Sequence, residues 1–288
     1  MKNVLVTGSK GFIGKVLTKK LISQGYNVSE FDFDNGDITL KSSLDNFKKL
    51  NISNVFHLAG KTFVPESWSD PWLFYQVNVM GTLTSLDFCR ETGARLTYIS
   101  SYLYGKPDYL PIDELHPVKV YNPYNHSKNV AEDICHFFRD NFHVDVIILR
   151  PFNAFGPGQQ GQFIIPGIIK QVLDPRIKKI EVMDLRPKRD YIYIDDLVEA
   201  IVLSMNAPQG IYNVGSGYSV SVEEIIKVVF ELTGIRKPYF SKDVERPNEI
   251  FDLYADITKI SKAFHWQPTT SFRNGISGCI QSYMQTES

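Results

Sequence analysis

Short apolar runs rich in β-branched residues recur through the first half of the chain, at residues 4–7, 28–33, 55–58, 96–99 and 144–149. Between them lie longer stretches in which apolar positions return every three or four residues, chiefly 13–23, 73–91 and 127–141. The first texture predicts strands buried on both faces, the second amphipathic helices. Their alternation predicts a parallel sheet, because parallel neighbours are joined by crossovers whose helices cover both faces. The expected fold class is α/β, a doubly wound parallel sheet of Rossmann type.

Between Asp32 and Leu50 only residues 44–50 look helical, after an Asn35-Gly36 turn signal and Asp37, so one crossover is expected to be abbreviated. After Pro151 a loop with Gly156, Pro157, Gly158 and Gly161 opens a different texture. Helices are expected over 163–173, 197–205 and 222–233, and strands over 191–194 and 212–214. The expected division is a sheet-forming domain over 1–153, joined by about 190–215, and a smaller mixed C-terminal lobe over 154–288.

Composition narrows the partners. The 31 basic and 32 acidic residues leave a net charge of -1, which excludes a broad field for nucleic acid or an acidic membrane surface. The three cysteines, Cys89, Cys135 and Cys279, lack metal or redox spacing and read as buried thiols. The six histidines show no HxxxH or HExxH spacing, so no metal is expected. No apolar run reaches the roughly 18 residues of a membrane helix. Met1-Lys2-Asn3 runs directly into the first strand, so a cytoplasmic location is expected.

The first strand ends in Thr7-Gly8-Ser9-Lys10-Gly11-Phe12-Ile13-Gly14 and a helical pattern follows. Glycines at this spacing allow a tight turn, close backbone approach to a pyrophosphate and close packing of helix on strand. Asp32, after the second strand, suits the ribose 2′-hydroxyl and repels a 2′-phosphate, which favours NAD while leaving NADP open; Asp34 is an alternative for that place. Asp37 and Ile38 are expected near the adenine, with Leu58, Ala59 and Gly60 along the cofactor.

Tyr124 and Lys128 stand four apart on an expected helix, hence on one face. A cation beside a phenol favours its ionised form and makes it a useful proton donor and acceptor. Tyr102 and Lys106 share the spacing, but Gly105 and Pro107 oppose a helix there. Ser100, at the end of the fourth strand, faces the same crevice and is a candidate to hold the reacting oxygen. Asp195-Asp196 reads as a helix N-cap, and Trp68, Trp72 and Phe74 as aromatic core or pocket lining.

These residues, with His57-Leu-Ala-Gly60, Asn78-Val-Met-Gly-Thr82, Arg150-Pro-Phe-Asn153, Arg189-Asp-Tyr-Ile-Tyr-Ile-Asp-Asp196 and Arg246-Pro-Asn-Glu249, resemble the extended short-chain dehydrogenase/reductase family, in its nucleotide-sugar epimerase, dehydratase and reductase branch. The resemblance spans the chain. It implies Tyr124 as catalytic acid/base, Lys128 on the nicotinamide ribose, Ser100 on the sugar oxygen and Asn78 as the active-site asparagine. It places Ser101, Asn153, Arg189 and Arg246 on a nucleotide-diphosphate sugar, and implies a homodimer paired through helices 73–91 and 127–141, with Leu83, Leu86, Ile134 and Phe137 at helical spacing. Sugar 4,6-dehydratases of the family carry an Asp-Glu pair where Ser101 and Tyr102 stand, which disfavours dehydration. The expected activity is hydride transfer at C4, with a 4-keto-6-deoxyhexose nucleotide reductase preferred over a UDP-hexose type 4-epimerase. A non-catalytic NAD-sensing regulator is a more remote reading. The sequence leaves the base, the sugar and the product stereochemistry open.

Overall fold

The computed structural model describes residues 2–244 and 249–287. Its centre is a six-stranded sheet in the order β2-β1-β3-β4-β5-β10, every neighbour parallel. The strands are β1 (Asn3–Thr7), β2 (Asn27–Phe31), β3 (Ile52–His57), β4 (Arg95–Ile99), β5 (Val146–Pro151) and β10 (Gly210–Val214). Alternate residues feed opposite cores. Val4 and Val6 of β1 pack with Phe56, Leu149, Leu197 and Ile201 on one face, while Leu5 packs with Val55, Leu96 and Ile148 on the other. The strand order reverses beside β1, whose neighbours are β2 on one side and β3 on the other, so the crevice for a ligand opens above the carboxyl ends of β1 and β3.

Helix α1 (Phe12–Ser23) crosses from β1 to β2, and α2 (Val64–Ser69), α3 (Pro71–Tyr75) and α4 (Gly81–Thr92) cross from β3 to β4. The pattern over 73–91 predicted one helix. The structure inserts a π-helical turn, Gln76–Met80, between α3 and α4. From β2 to β3 there is no α-helix, only 3₁₀ turns at Phe33–Asn35 and Asp45–Leu50, so the crossover is abbreviated as expected. The second strand also stops at Phe31 and not at residue 33. Asp32 caps the turn by accepting from Phe33 N–H, and the Asn35 side chain accepts from Asp32 N–H, a local pairing that outcompetes the strand.

A loop over 100–122 leads to α5 (Pro123–Phe142), whose N-cap Asn122 accepts from Asn125 N–H at 2.8 Å. Then follow β6 (Asn153–Phe155), α6 (Ile164–Leu173), β7 (Ile180–Val182), β8 (Lys188–Arg189), β9 (Tyr191–Tyr193) and α7 (Ile194–Leu203) before β10. β11 (Val220–Ser221), α8 (Val222–Thr233), β12 (Tyr239–Ser241), α9 (Thr258–Phe264) and α10 (Phe272–Glu287) complete the chain. Three two-stranded sheets, β6 with β9, β7 with β12 and β8 with β11, surround a second core of Phe155, Ile168, Val172, Ile226 and Phe272. By contrast α7 and β10, from the second half of the chain, pack into the first core, as do Ile260, Phe264 and Trp266.

Asp195 and Asp196 lie in the first turn of α7 and do not cap it. The cap of α7 is Tyr193, and the buried carboxylate of Asp196 instead accepts from Thr269 N–H and Thr270 N–H, each at 3.0 Å, and from the Thr269 hydroxyl at 2.9 Å. It staples the returning tail to the sheet domain. The cysteines are all buried and unpaired. Trp68 and Trp72 are exposed and only Phe74 is core. Leu86 is buried against the sheet and is no surface contact, whereas Phe137 is exposed.

Candidate active site

At the end of β1 the chain turns through Gly8, whose φ of +72° and approach to the next strand both require glycine: a Cβ would stand 2.7 Å from Ala59 N. At Gly14 a Cβ would fall 2.0 Å from the Gly8 carbonyl oxygen, so α1 lies directly on the turn. Gly11 caps α1 with no side-chain hydrogen bond, which leaves first-turn N–H groups for another acceptor. Phe12 and Ile13 anchor the helix on the core. Ser9, inside the turn, is buried with an unpartnered hydroxyl. A helix end receptive to anions, a backbone path only glycine follows and an orphaned hydroxyl fit a dinucleotide pyrophosphate.

Asp32 sits half-buried at the rim of this turn and accepts from Lys10 N–H and Phe33 N–H, both at 2.7 Å. Each carboxylate oxygen can take a further donor. Asp34, the alternative for that place, is exposed and pairs with Lys10. Asp37 accepts from Thr39 N–H at 2.9 Å, and Ile38 is buried against Gly81. Leu58, Ala59 and Gly60 line the carboxyl end of β3 half-buried. Gly60 is a cradle: a Cβ there would stand 2.9 Å from Asn78 Oδ1 and 3.6 Å from Lys128 Nζ.

Tyr124 lies in the first turn of α5, buried, with Phe74 edge-on at 6.3 Å. Burial pushes its phenol up to about 12, and the facing Ser101 hydroxyl opposes that rise. The buried ammonium of Lys128 donates to Ile99 O at 2.7 Å and stands 4.8 Å from the Tyr98 ring centroid. Burial pulls Lys128 down to about 8, with Glu132 one turn on opposing it. Ser100 is buried at the end of β4 and its Oγ has no partner. At the carboxyl end of β4 the structure thus brings Ser101 to Tyr124 and Lys128 to Ile99 O, the latter beside Gly60, with Ser100 between Ile99 and Ser101 in the chain.

A family model described as the NAD dependent epimerase/dehydratase family matches residues 4–215. The chain belongs to that family. A putative UDP-glucose 4-epimerase of Methanocaldococcus jannaschii is 30% identical over 96% of this chain and 97% of its own length. The GDP-6-deoxy-D-mannose reductase of Pseudomonas aeruginosa is 30% identical over 81% of each chain. The solved UDP-glucose 4-epimerase of Thermotoga maritima, crystallised with UDP-glucose, superposes with a TM-score of 0.92 at 25% identity, covering 99% of this chain and all of its own.

As a member of the NAD dependent epimerase/dehydratase family the protein is an enzyme that works with a nicotinamide dinucleotide. Asn78 is less free than its motif implies. Its Oδ1 accepts from Lys61 N–H at 2.8 Å, and its Nδ2 donates to Lys61 O at 3.1 Å and Ser127 Oγ at 2.9 Å, so it clamps the strand-end loop to α5. Asn153 donates to Asp190 O at 3.0 Å and accepts from the Tyr102 phenol at 3.4 Å. Arg189 donates to Glu249 Oε1 at 2.7 Å and to the Ile250 carbonyl. Arg246 lies outside the described residues.

Sequence reasoning missed Glu249 as a partner, Tyr102 as a neighbour of Asn153, and Asp190. The last is buried and accepts from Ser216 N–H at 2.7 Å and Gly217 N–H and Ala255 N–H at 3.1 Å. Nothing in local patterning marks these residues, because their partners are distant in sequence. Among the described residues no cluster could hold a metal ion, and no helix is long and apolar enough to cross a membrane.

Proposed function

We propose that the enzyme exchanges a hydride at C4 of a nucleotide-diphosphate sugar, with Tyr124 carrying the accompanying proton. The observations that carry this reading are the Tyr124 phenol facing the Ser101 hydroxyl, the buried, unpartnered hydroxyl of the preceding residue Ser100, and the Lys128 ammonium, on the same helix as Tyr124, beside the glycine cradle of Gly60. Gly8, Gly11, Gly14, Asp32, Asp37, Ile38, Leu58 to Gly60 and Lys128 would hold the dinucleotide, which when bound supplies the hydride-carrying nicotinamide. Lys128 adds a cation on the ribose side. Ser100 holds the sugar's C4 oxygen for Tyr124, which takes its proton or returns it. Ser101 faces the phenol and eases its ionisation.

The carboxylate of Asp32 favours NAD over NADP. The lobe around α6, α8 and α10 is assigned to the sugar nucleotide, with Asn153 and Arg189 as candidate ligands for the diphosphate and Arg246 carried over on its motif alone. Arg189 would exchange Glu249 for phosphate oxygens, which suit a guanidinium fork. A homodimer through α4 and α5 would cover exposed Phe137 and Phe142. The absence of any broad charged field and of a membrane-length helix among the described residues supports a cytoplasmic setting.

Two activities satisfy this site. The end-to-end match to an epimerase relative favours 4-epimerisation, and the abbreviated crossover beyond β2, which leaves little protein around the adenine side, favours a 4-keto-6-deoxyhexose nucleotide reductase. The deciding experiment follows UDP-hexose and GDP-hexose epimers by NMR without added cofactor, then tests NADH or NADPH consumption with 4-keto-6-deoxy sugar nucleotides. Interconversion alone assigns the epimerase and consumption alone the reductase. Neither activity, with no dinucleotide bound, would overturn the reading.

A further inference from the structure

His57 ends β3 fully buried, and both ring nitrogens have hydroxyl partners on other elements. Nδ1 lies 2.8 Å from Thr7 Oγ1 and 3.1 Å from Ser85 Oγ; Nε2 lies 3.2 Å from Thr82 Oγ1. Each hydroxyl has one proton to give. That of Thr82 goes to Asn78 O at 2.6 Å and that of Ser85 to Gly81 O at 3.0 Å. Thr82 Oγ1 can then only accept from the ring, which places the proton on Nε2. Thr7 Oγ1 accepts from Ala59 N–H at 3.3 Å, so its own proton is available to Nδ1. The neutral Nε2–H tautomer gives Nε2 an acceptor in Thr82 Oγ1 and Nδ1 a donor in Thr7 Oγ1, and leaves only the longer 3.1 Å approach of Ser85 Oγ to Nδ1 without a shared proton.

The bonds therefore run in one direction: Ala59 N–H to Thr7, Thr7 to His57, His57 to Thr82, and Thr82 to the carbonyl of Asn78 in the π-helical turn. From the Asn78 side chain they continue to Ser127 Oγ at 2.9 Å and on to the carbonyl of Tyr124 at 2.8 Å. One end is the strand-end segment assigned to the cofactor, and the other is the helix turn carrying the phenol. We propose that His57 is a positioning residue whose Nε2–H tautomer, through Thr7 and Thr82, fixes the first turn of α5 relative to the dinucleotide. This rests on the function proposed above, although His57 touches neither ligand in that reading.

Satisfied buried chains hold geometry more firmly than their separate bonds, and a small misplacement of a reacting group costs rate more than binding. The test compares His57→Phe, which keeps the ring stacked on Tyr98, with the near-isosteric Thr82→Val, which cuts the same chain at another link. Each should lower kcat about 10- to 100-fold with KM for the sugar nucleotide changed less than about twofold, and the double variant should lose little more than either single one. Wild-type kcat in Thr82→Val, or losses that multiply, would overturn the proposal even if His57→Phe failed to fold. Ring ¹⁵N shifts of His57 supply a readout independent of turnover: an Nδ1–H or doubly protonated ring at neutral pH also overturns it. If the wild-type protein turns over no sugar nucleotide, the functional reading fails by itself and the tautomer still decides the chain.

Discussion

The ammonium of Lys128 donates to the carbonyl oxygen of Ile99 over 2.7 Å, tying the second turn of α5 to the last residue of β4, one step before Ser100. This bond keeps a cation at the crevice floor although burial holds Lys128 down to about 8. The lysine is charged below that value and neutral above it. The kcat/KM profile should therefore fall as pH rises through about 8, and Lys128→Met should abolish that limb while reducing kcat about a hundredfold.

Tyr124 keeps its proton at neutral pH in the free enzyme, because burial pushes it up to about 12. Tyr124→Phe retains the ring that packs edge-on against Phe74, so folding should survive while kcat drops roughly 10²- to 10⁴-fold. Since the Ser101 hydroxyl opposes the rise, Ser101→Ala should move the phenol higher still. Ultraviolet difference titration checks the shift, and an unmoved phenol would remove Ser101 from this role.

Ser100 Oγ is buried without a partner, so it contributes no hydrogen bond to the fold. Ser100→Ala should change unfolding free energy by less than about 1 kcal/mol and still lower kcat/KM about 10- to 100-fold. A stability loss with intact kinetics would mark the hydroxyl as structural.

Arg150 and Glu132 form a buried pair, Nε donating to Oε1 at 3.0 Å, and Arg150 Nη1 also donates to the Tyr104 hydroxyl at 2.9 Å. Glu132→Gln leaves a buried guanidinium unpaired and should cost about 3–5 kcal/mol in urea denaturation. Replacing both partners by methionine should recover much of that loss.

Burial, and secondarily Lys128, hold His57 down to about 3, against 6.5 when unfolded. As pH falls below about 6.5 the unfolded chain takes up a proton that the folded one refuses. This contribution to stability is complete above 6.5 and is lost progressively toward 3. Denaturation midpoints between pH 7 and 4 should slope less in His57→Phe than in wild type.

The sheet was legible because its strands bury both faces, as Val4, Leu5 and Val6 show, and the glycine turn because Gly8 and Gly14 meet backbone atoms that admit no side chain. That Tyr124 and Lys128 share one helix beginning at Pro123 was legible from the sequence. What stayed hidden depends on partners far along the chain: Asp196 on Thr269, Arg189 on Glu249, and His57 on Thr7 and Thr82. A buried polar residue has the same local signature whichever remote group satisfies it. The π-helical turn was invisible for a related reason, since residues 73–91 keep a helical apolar period through it.

The staple from Asp196 to Thr269 and Thr270 has an implication for biosynthesis. The sheet takes its edge strand β10 from residues 210–214, and the Asp196 carboxylate on α7 takes backbone donors from Thr269 and Thr270, 73 and 74 positions further on. While the polypeptide is still emerging from the ribosome, the first 150 residues can form their crossovers but leave β5 with an open flank. Closure of the sheet must wait until Val214 has been translated, and the Asp196 staple until Thr270, so a chain stalled before residue 210 would present a sticky, unfinished sheet edge to chaperones and proteases.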